Sequence, residues 1–140
     1  MTEDELKKRT KLFALRVLKL VAALPKTVAG RTIGNQLARS GTSVAANYRA
    51  ACRGRSKAEF ISRLGVVEEE ADESALWLEL IIDGKVMKKS LVEPLWVEAN
   101  ELVAIMTSSR KTAGGSLSSS GRRVRHTPLV DTIANQKSKF

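Results

Sequence analysis

The sequence predicts an all-α protein: an antiparallel up-down four-helix bundle with a flexible basic C-terminal tail. Three observations lead there. Apolar residues recur at steps of three and four through four long segments. Glycine and proline, nine and three in 140 residues, fall mostly between those segments, unlike the frequent turns of a sheet protein. Aromatics make up only 4% of the chain, so the core must be aliphatic. Short connections between four such segments make antiparallel neighbours. The bundle is expected over residues 1–110 and the tail over 111–140.

The first helix is expected from about Asp4 to Leu24, with Leu6, Phe13, Val17, Leu20 and Leu24 on one face and Pro25 as its stop. Leu12, Leu15 and Leu18 widen that face and suggest contacts on two sides. The start of the second helix is open, because Thr27 and Thr32 are both able to cap it. Its apolar row is Ile33, Leu37, Val44, Tyr48 and Ala51, and it ends near Arg53-Gly54.

The third helix opens on a capping box, Ser56 with Glu59. Phe60, Leu64, Val67, Ala71, Ser74, Leu78 and Ile81 then alternate four and three, the strongest periodic signal in the chain. Asp83-Gly84 closes it. Ser90 and Glu93 suggest another capping box for the fourth helix, with Pro94 in its first turn and Leu95, Leu102, Ile105 and Met106 facing inward. From Thr107 the pattern fails. Residues 111–140 read as a Ser, Gly and Lys/Arg-rich tail, with a short ordered piece around Leu129–Ile133.

At this length one domain is expected. No run of 18 uncharged apolar residues occurs, so no membrane span is expected. The N-terminus opens with acids, and Arg16 and Lys19 interrupt its apolar part, unlike a secretory signal. The expectation is a cytoplasmic protein. A single Cys, Cys52, and a single His, His126, exclude an internal disulfide and a His/Cys zinc site within one chain. The net charge is +9 and uneven. Residues 111–140 hold six Lys and Arg against Asp131, more than half of the excess. Such a balance suits a polyanion partner without demonstrating one.

A polar row crosses the second helix. Gln36, Ser40, Ser43 and Asn47 recur at four, three and four, beside the small Gly41, Ala45 and Ala46. The third helix has a matching stripe with Glu70, Glu73 and Trp77. Counting outward from Gly54–Arg55 sets Asn47 near residue 62 and Ser40 and Ser43 near 66 to 70. One reading is a Ser/Asn–Glu hydrogen-bond network fixing helix register or a subunit contact; the other leaves Glu70 and Glu73 solvated.

Catalysis has little support. Ser40 and Ser43 lack a base, since the single His lies in the tail. Cys52 has basic neighbours that would lower its pKa, but no His partner. Glu70 and Glu73 lack the Glu-x-x-His motif of a bundle metal site. No catalytic residue, cofactor or metal is expected. Arg49, Arg53, Arg55, Lys57 and Arg63 crowd the turn between the second and third helices. They either favour a helix C-terminus or bind phosphates. With only Tyr48 nearby, backbone contact is favoured over base readout.

"IGNQLARSGTSVAANYRAA", then "RSKAEFISRLGVVEEEADESALWLELI" and "EANELVAIM", resemble the bacterial four-helix bundle family whose founding members are encoded in intervening sequences of large-subunit ribosomal RNA genes. The resemblance covers about residues 6–108. It implies a left-handed up-down bundle assembled into a homopentameric ring. It also implies a role with RNA or DNA, because related accessory proteins of diversity-generating retroelements act with a reverse transcriptase. The family's motif falls on Arg39, Ser40, Ser43, Asn47, Arg55, Ser56, Phe60, Glu70, Glu73 and Trp77. One departure is Ala50, where members often carry Glu. The tail after Lys111 lies outside the resemblance.

Overall fold

A computed structural model describes residues 1–115. Residues 116–140 of the expected tail, with the piece around Leu129–Ile133, lie outside the described residues. Within them the chain forms four helices and no strand: α1 (Glu3–Ala22), α2 (Val28–Cys52), α3 (Lys57–Asp83) and α4 (Lys89–Gly115).

Local chemistry sets most of the ends. Thr2 caps α1 with a closed capping box. Its Oγ1 accepts from the Glu5 N–H at 3.1 Å, and Glu5 Oε2 accepts from the Thr2 N–H at 2.9 Å. The helix therefore starts just before the expected Asp4. It ends at Ala22, and Leu24 is buried in the turn beyond. Thr27, not Thr32, caps α2, accepting from the Gly30 N–H at 3.1 Å. Thr32 lies inside the helix and donates to the Val28 carbonyl. Ser56 caps α3, and Glu59 reaches back to the Arg55 N–H at 3.1 Å.

The end of α3 is a Schellman turn. The Lys85 N–H donates to the Ile82 carbonyl, and the Val86 N–H donates to that of Ile81. Gly84 is right-handed there, and the left-handed position falls on Lys85, at φ 53°.

The fourth helix departs from expectation at both ends. It begins at Lys89, so Ser90 and Glu93 sit inside it rather than forming a capping box. Pro94 then falls in the second turn, not the first. At the other end α4 continues through Gly115, past the failure of the apolar pattern at Thr107. Polar tertiary contacts take over there. Thr107 Oγ1 donates to Glu68 Oε1 at 2.6 Å, and Arg110 pairs with Glu68 Oε2 at 2.6 Å.

The helices run up and down in sequence order. α2 packs on α1, α3 on α2 and α4 on α3, while α1 and α4 meet only lightly and the backbones of α1 and α3 stand apart across the core. The heptad row of α3 forms the centre: Leu64, Val67, Ala71, Ser74, Leu78 and Ile81 are buried, with Phe60 at the margin. Phe13, Val17, Leu37, Val44, Leu102 and Met106 close around it. Each such aliphatic or aromatic side chain contributes about 1.5–3 kcal/mol by leaving water. α1 and α2 approach closely at Gly41, where a Cβ would stand 2.8 Å from both Val17 methyls. Where α1 and α4 meet, Arg9 serves as a clamp. Its guanidinium donates to Glu98 at 2.6 and 3.0 Å and to Glu101 at 2.7 Å. No helix among the described residues is long and apolar enough to cross a membrane.

Candidate functional site

The polar row of α2 divides on folding. Ser40 is fully buried and its hydroxyl lies 2.8 Å from that of Ser74 on α3. Ser74 donates to the Glu70 carbonyl at 2.9 Å, which leaves its oxygen to accept from Ser40. Arg39, one residue earlier, turns outward and bridges Glu70, at 3.3 Å, and Glu73. Asn47 instead donates to the Ser43 carbonyl of its own helix at 2.9 Å. Gln36 is exposed and Ser43 half-buried. The carboxylates of α3 thus face an arginine, and the serine faces a serine. Trp77 packs against the edge of the core, and its indole N–H is buried without an acceptor among the described residues.

Charge on this seam follows burial. Burial pushes the Glu70 carboxyl above the usual carboxylate range, against the opposing pull of Arg39. The Arg39 guanidinium is raised, chiefly by its bond to Glu73. The neighbouring Glu73 adds to the rise of Glu70, and Arg39 bridges both carboxylates at the surface. The thiol of Cys52 moves opposite to its sequence neighbourhood. Arg49, Arg53 and Arg55 extend into solvent, and burial raises the thiol pKa, with Glu3 adding to it. Burial likewise pushes the nearby Tyr48 hydroxyl up.

All five residues of the expected basic cluster are exposed: Arg49, Arg53, Arg55, Lys57 and Arg63. They do not share one concavity. Arg49 lines a groove of about 380 Å³ between α1 and α2, with Lys7 and Lys11 on the α1 side. Its floor is Thr10, Ala14, Thr42, Ala45 and Ala46, so the small residues of α2 form the bottom of a basic trough. The two lysines went unrecognised in the sequence because they sit on a different helix. Their i, i+4 spacing beside the Ala14 face was the only available sign. On the other side of the bundle, Gly65, Glu68, Glu69, Asp72, Val103 and Arg110 line an acidic groove of about 370 Å³ between α3 and α4.

These grooves reflect a wider division. α1 and α2 carry nine Lys and Arg against three acids, whereas α3 and α4 carry five against eleven. The bundle is therefore electrically two-sided. The basic side can meet a polyanion by charge, and the groove gives that charge a concave shape.

Comparison with known proteins agrees with this architecture. The profile of the 23S rRNA-intervening sequence protein family matches residues 3–108. A solved structure of a protein of unknown function from the S23 ribosomal protein family of Bacteroides thetaiotaomicron is similar, with 30% identity and a TM-score of 0.71. The alignment covers 79% of this chain and 99% of that one. No curated protein matches the chain. The matched span takes in α1 to α3 entirely and α4 through the Glu68 contact of Thr107, and the chain belongs to the 23S rRNA-intervening sequence protein family.

Proposed function

We propose that the chain is a non-enzymatic module that assembles with copies of itself into a ring and holds RNA or DNA by its phosphate backbone. The number of subunits, five, rests on the family resemblance. The nucleic-acid reading rests on one observation: the groove between α1 and α2, rimmed by Lys7, Lys11 and Arg49 on the basic side of the bundle. Three exposed cations over a floor of alanine and threonine supply charge without base-reading groups, which suits a sequence-independent contact. Arg53 and Arg55 are exposed at the α2–α3 turn, beyond the lining of the groove, and Glu3 pairs with Lys7 at 3.6 Å.

A gel-shift titration of generic RNA and DNA at several salt concentrations tests this. Affinity should fall steeply with salt, and the triple variant Lys7→Glu, Lys11→Glu, Arg49→Glu should weaken it by more than ten-fold, on the order expected for several phosphate contacts. Loss with Arg53→Glu and Arg55→Glu alone would move the contact to the turn. Loss only on removal of residues 111–140 would move it to the C-terminal segment. No shift at low salt would leave a protein-interaction scaffold without nucleic-acid affinity.

A further inference from the structure

α1 and α3 stand at opposite corners of the bundle, so their outer faces look away from each other. Both faces are unusual. Leu12 and Leu15 on α1 are each 55% exposed, and Leu76 and Leu80 on α3 are 48% and 41% exposed. In each helix the leucine pair is bracketed by charges of one sign: Lys8 and Lys19 on α1, Asp72 and Asp83 on α3. Each bracket spans eleven residues, about 16 Å of helix. All four charged residues are exposed, and none has an ion-pair partner among the described residues.

We infer that the outer face of α1 in one copy docks on the outer face of α3 in the next, leucines against leucines and lysines against aspartates. The inference rests on the self-association proposed above and names the surfaces that carry it. α1 and α3 run parallel within the bundle. A parallel pairing therefore brings Lys8 to Asp72, Leu12 to Leu76 and Lys19 to Asp83, with all copies pointing the same way. Two different faces of one chain make a head-to-tail contact, which closes a ring where successive rotations sum to a full turn and otherwise continues as an open array. The apolar centre supplies contact area, while the bracketing charges fix register and reject a face meeting its own kind. α3 has a standing need for such a partner. Burial holds the Glu79 carboxyl above the usual range, and the neighbouring Asp83 and Asp72 push it further.

The test is the native mass of the full chain, by sedimentation over a range of concentration and salt, with circular dichroism confirming that each variant is helical. The wild type should assemble. Lys8→Glu with Lys19→Glu should raise the concentration needed for assembly by at least ten-fold, as like charges meet. Asp72→Lys with Asp83→Lys should do the same. The fourfold variant, with both reversals in one chain, should assemble again. If the wild type assembles and neither reversal disturbs it, the pairing is overturned while self-association stands. Reversals that disrupt without rescue in the fourfold variant overturn the complementarity. A single-chain mass for the wild type overturns both readings.

Discussion

Ser40 and Ser74 place their hydroxyls 2.8 Å apart at the centre of the α2–α3 seam, both fully shielded from water. A buried hydroxyl is costly alone and tolerable in a pair. Ser40→Ala or Ser74→Ala alone should each destabilise by about 1 kcal/mol, and the double variant should cost less than their sum. Asn47→Ala and Glu73→Ala should be additive, because Asn47 bonds within its own helix and Glu73 bonds Arg39. Urea denaturation of both sets distinguishes the coupled pair from the uncoupled one.

Gly41 lies where α1 and α2 approach closely. Gly41→Ala would drive a methyl into Val17, which is held on every side by core residues. The expected loss is about 1–3 kcal/mol. Val17→Ala in the same chain should recover part of it by giving the methyl room. Chemical denaturation of the single and double variants is the measurement, and a failure of Val17→Ala to compensate would point away from steric contact.

Lys85 adopts a left-handed conformation that glycine tolerates better. Lys85→Gly should therefore stabilise the chain, by up to about 1 kcal/mol after the greater chain entropy of unfolded glycine is subtracted. A higher thermal midpoint is the expected readout.

Glu79 lends the fold a pH dependence of defined sign. Its carboxyl is raised in the folded state by burial first, then by Asp83 and Asp72. The folded chain therefore favours the protonated form. The stability associated with this group is full below the ordinary glutamate range and is lost as pH rises through the folded value. Glu79→Gln should raise the melting temperature at neutral pH and leave it unchanged near pH 3, both measured in dilute protein.

Cys52 should react slowly. Its thiol is half-buried and its pKa is raised. Alkylation by iodoacetamide at pH 7.5, a pH below the ordinary thiol pKa of about 8.5, should be slower than that of a small free thiol and should accelerate only at higher pH. Fast alkylation near neutrality would revive the reading that its arginine neighbours activate it.

Regular elements were legible because their signals are local and repeat. The four-three alternation of α3 marked its buried face from Leu64 to Ile81, including Ser74 as the polar member of that row. What the row could not give was its partner. Counting outward from Gly54–Arg55 treated the ends of α2 and α3 as flush, and set Ser40 opposite residues 66 to 70. In the folded chain Ser40 meets Ser74, one helical turn further along α3. The first buried residue of α3 is Leu64, so its first turns project beyond the end of α2. The end of α4 was misread for a related reason. Thr107 and Arg110 are held by Glu68, a polar contact that apolar periodicity does not record. The basic groove escaped notice because its cations come from two helices brought together only by tertiary packing.

The extra length of α4 sets a direction as well as a distance. Its contacts with Glu68 carry the last turn toward the start of α3, the same end of the bundle where Arg53 and Arg55 lie. Gly115, the last described residue, thus leaves the bundle at the end that carries the exposed Arg49, Arg53, Arg55 and Arg63. A helix meters that exit: each residue added before Gly115 advances it by about 1.5 Å and swings it by about 100°. Insertions of one and of four residues after Arg110 would advance Gly115 by about 1.5 Å and about 6 Å and turn it by about 100° and about 40°, so the shorter insertion changes its heading more and the longer one its reach.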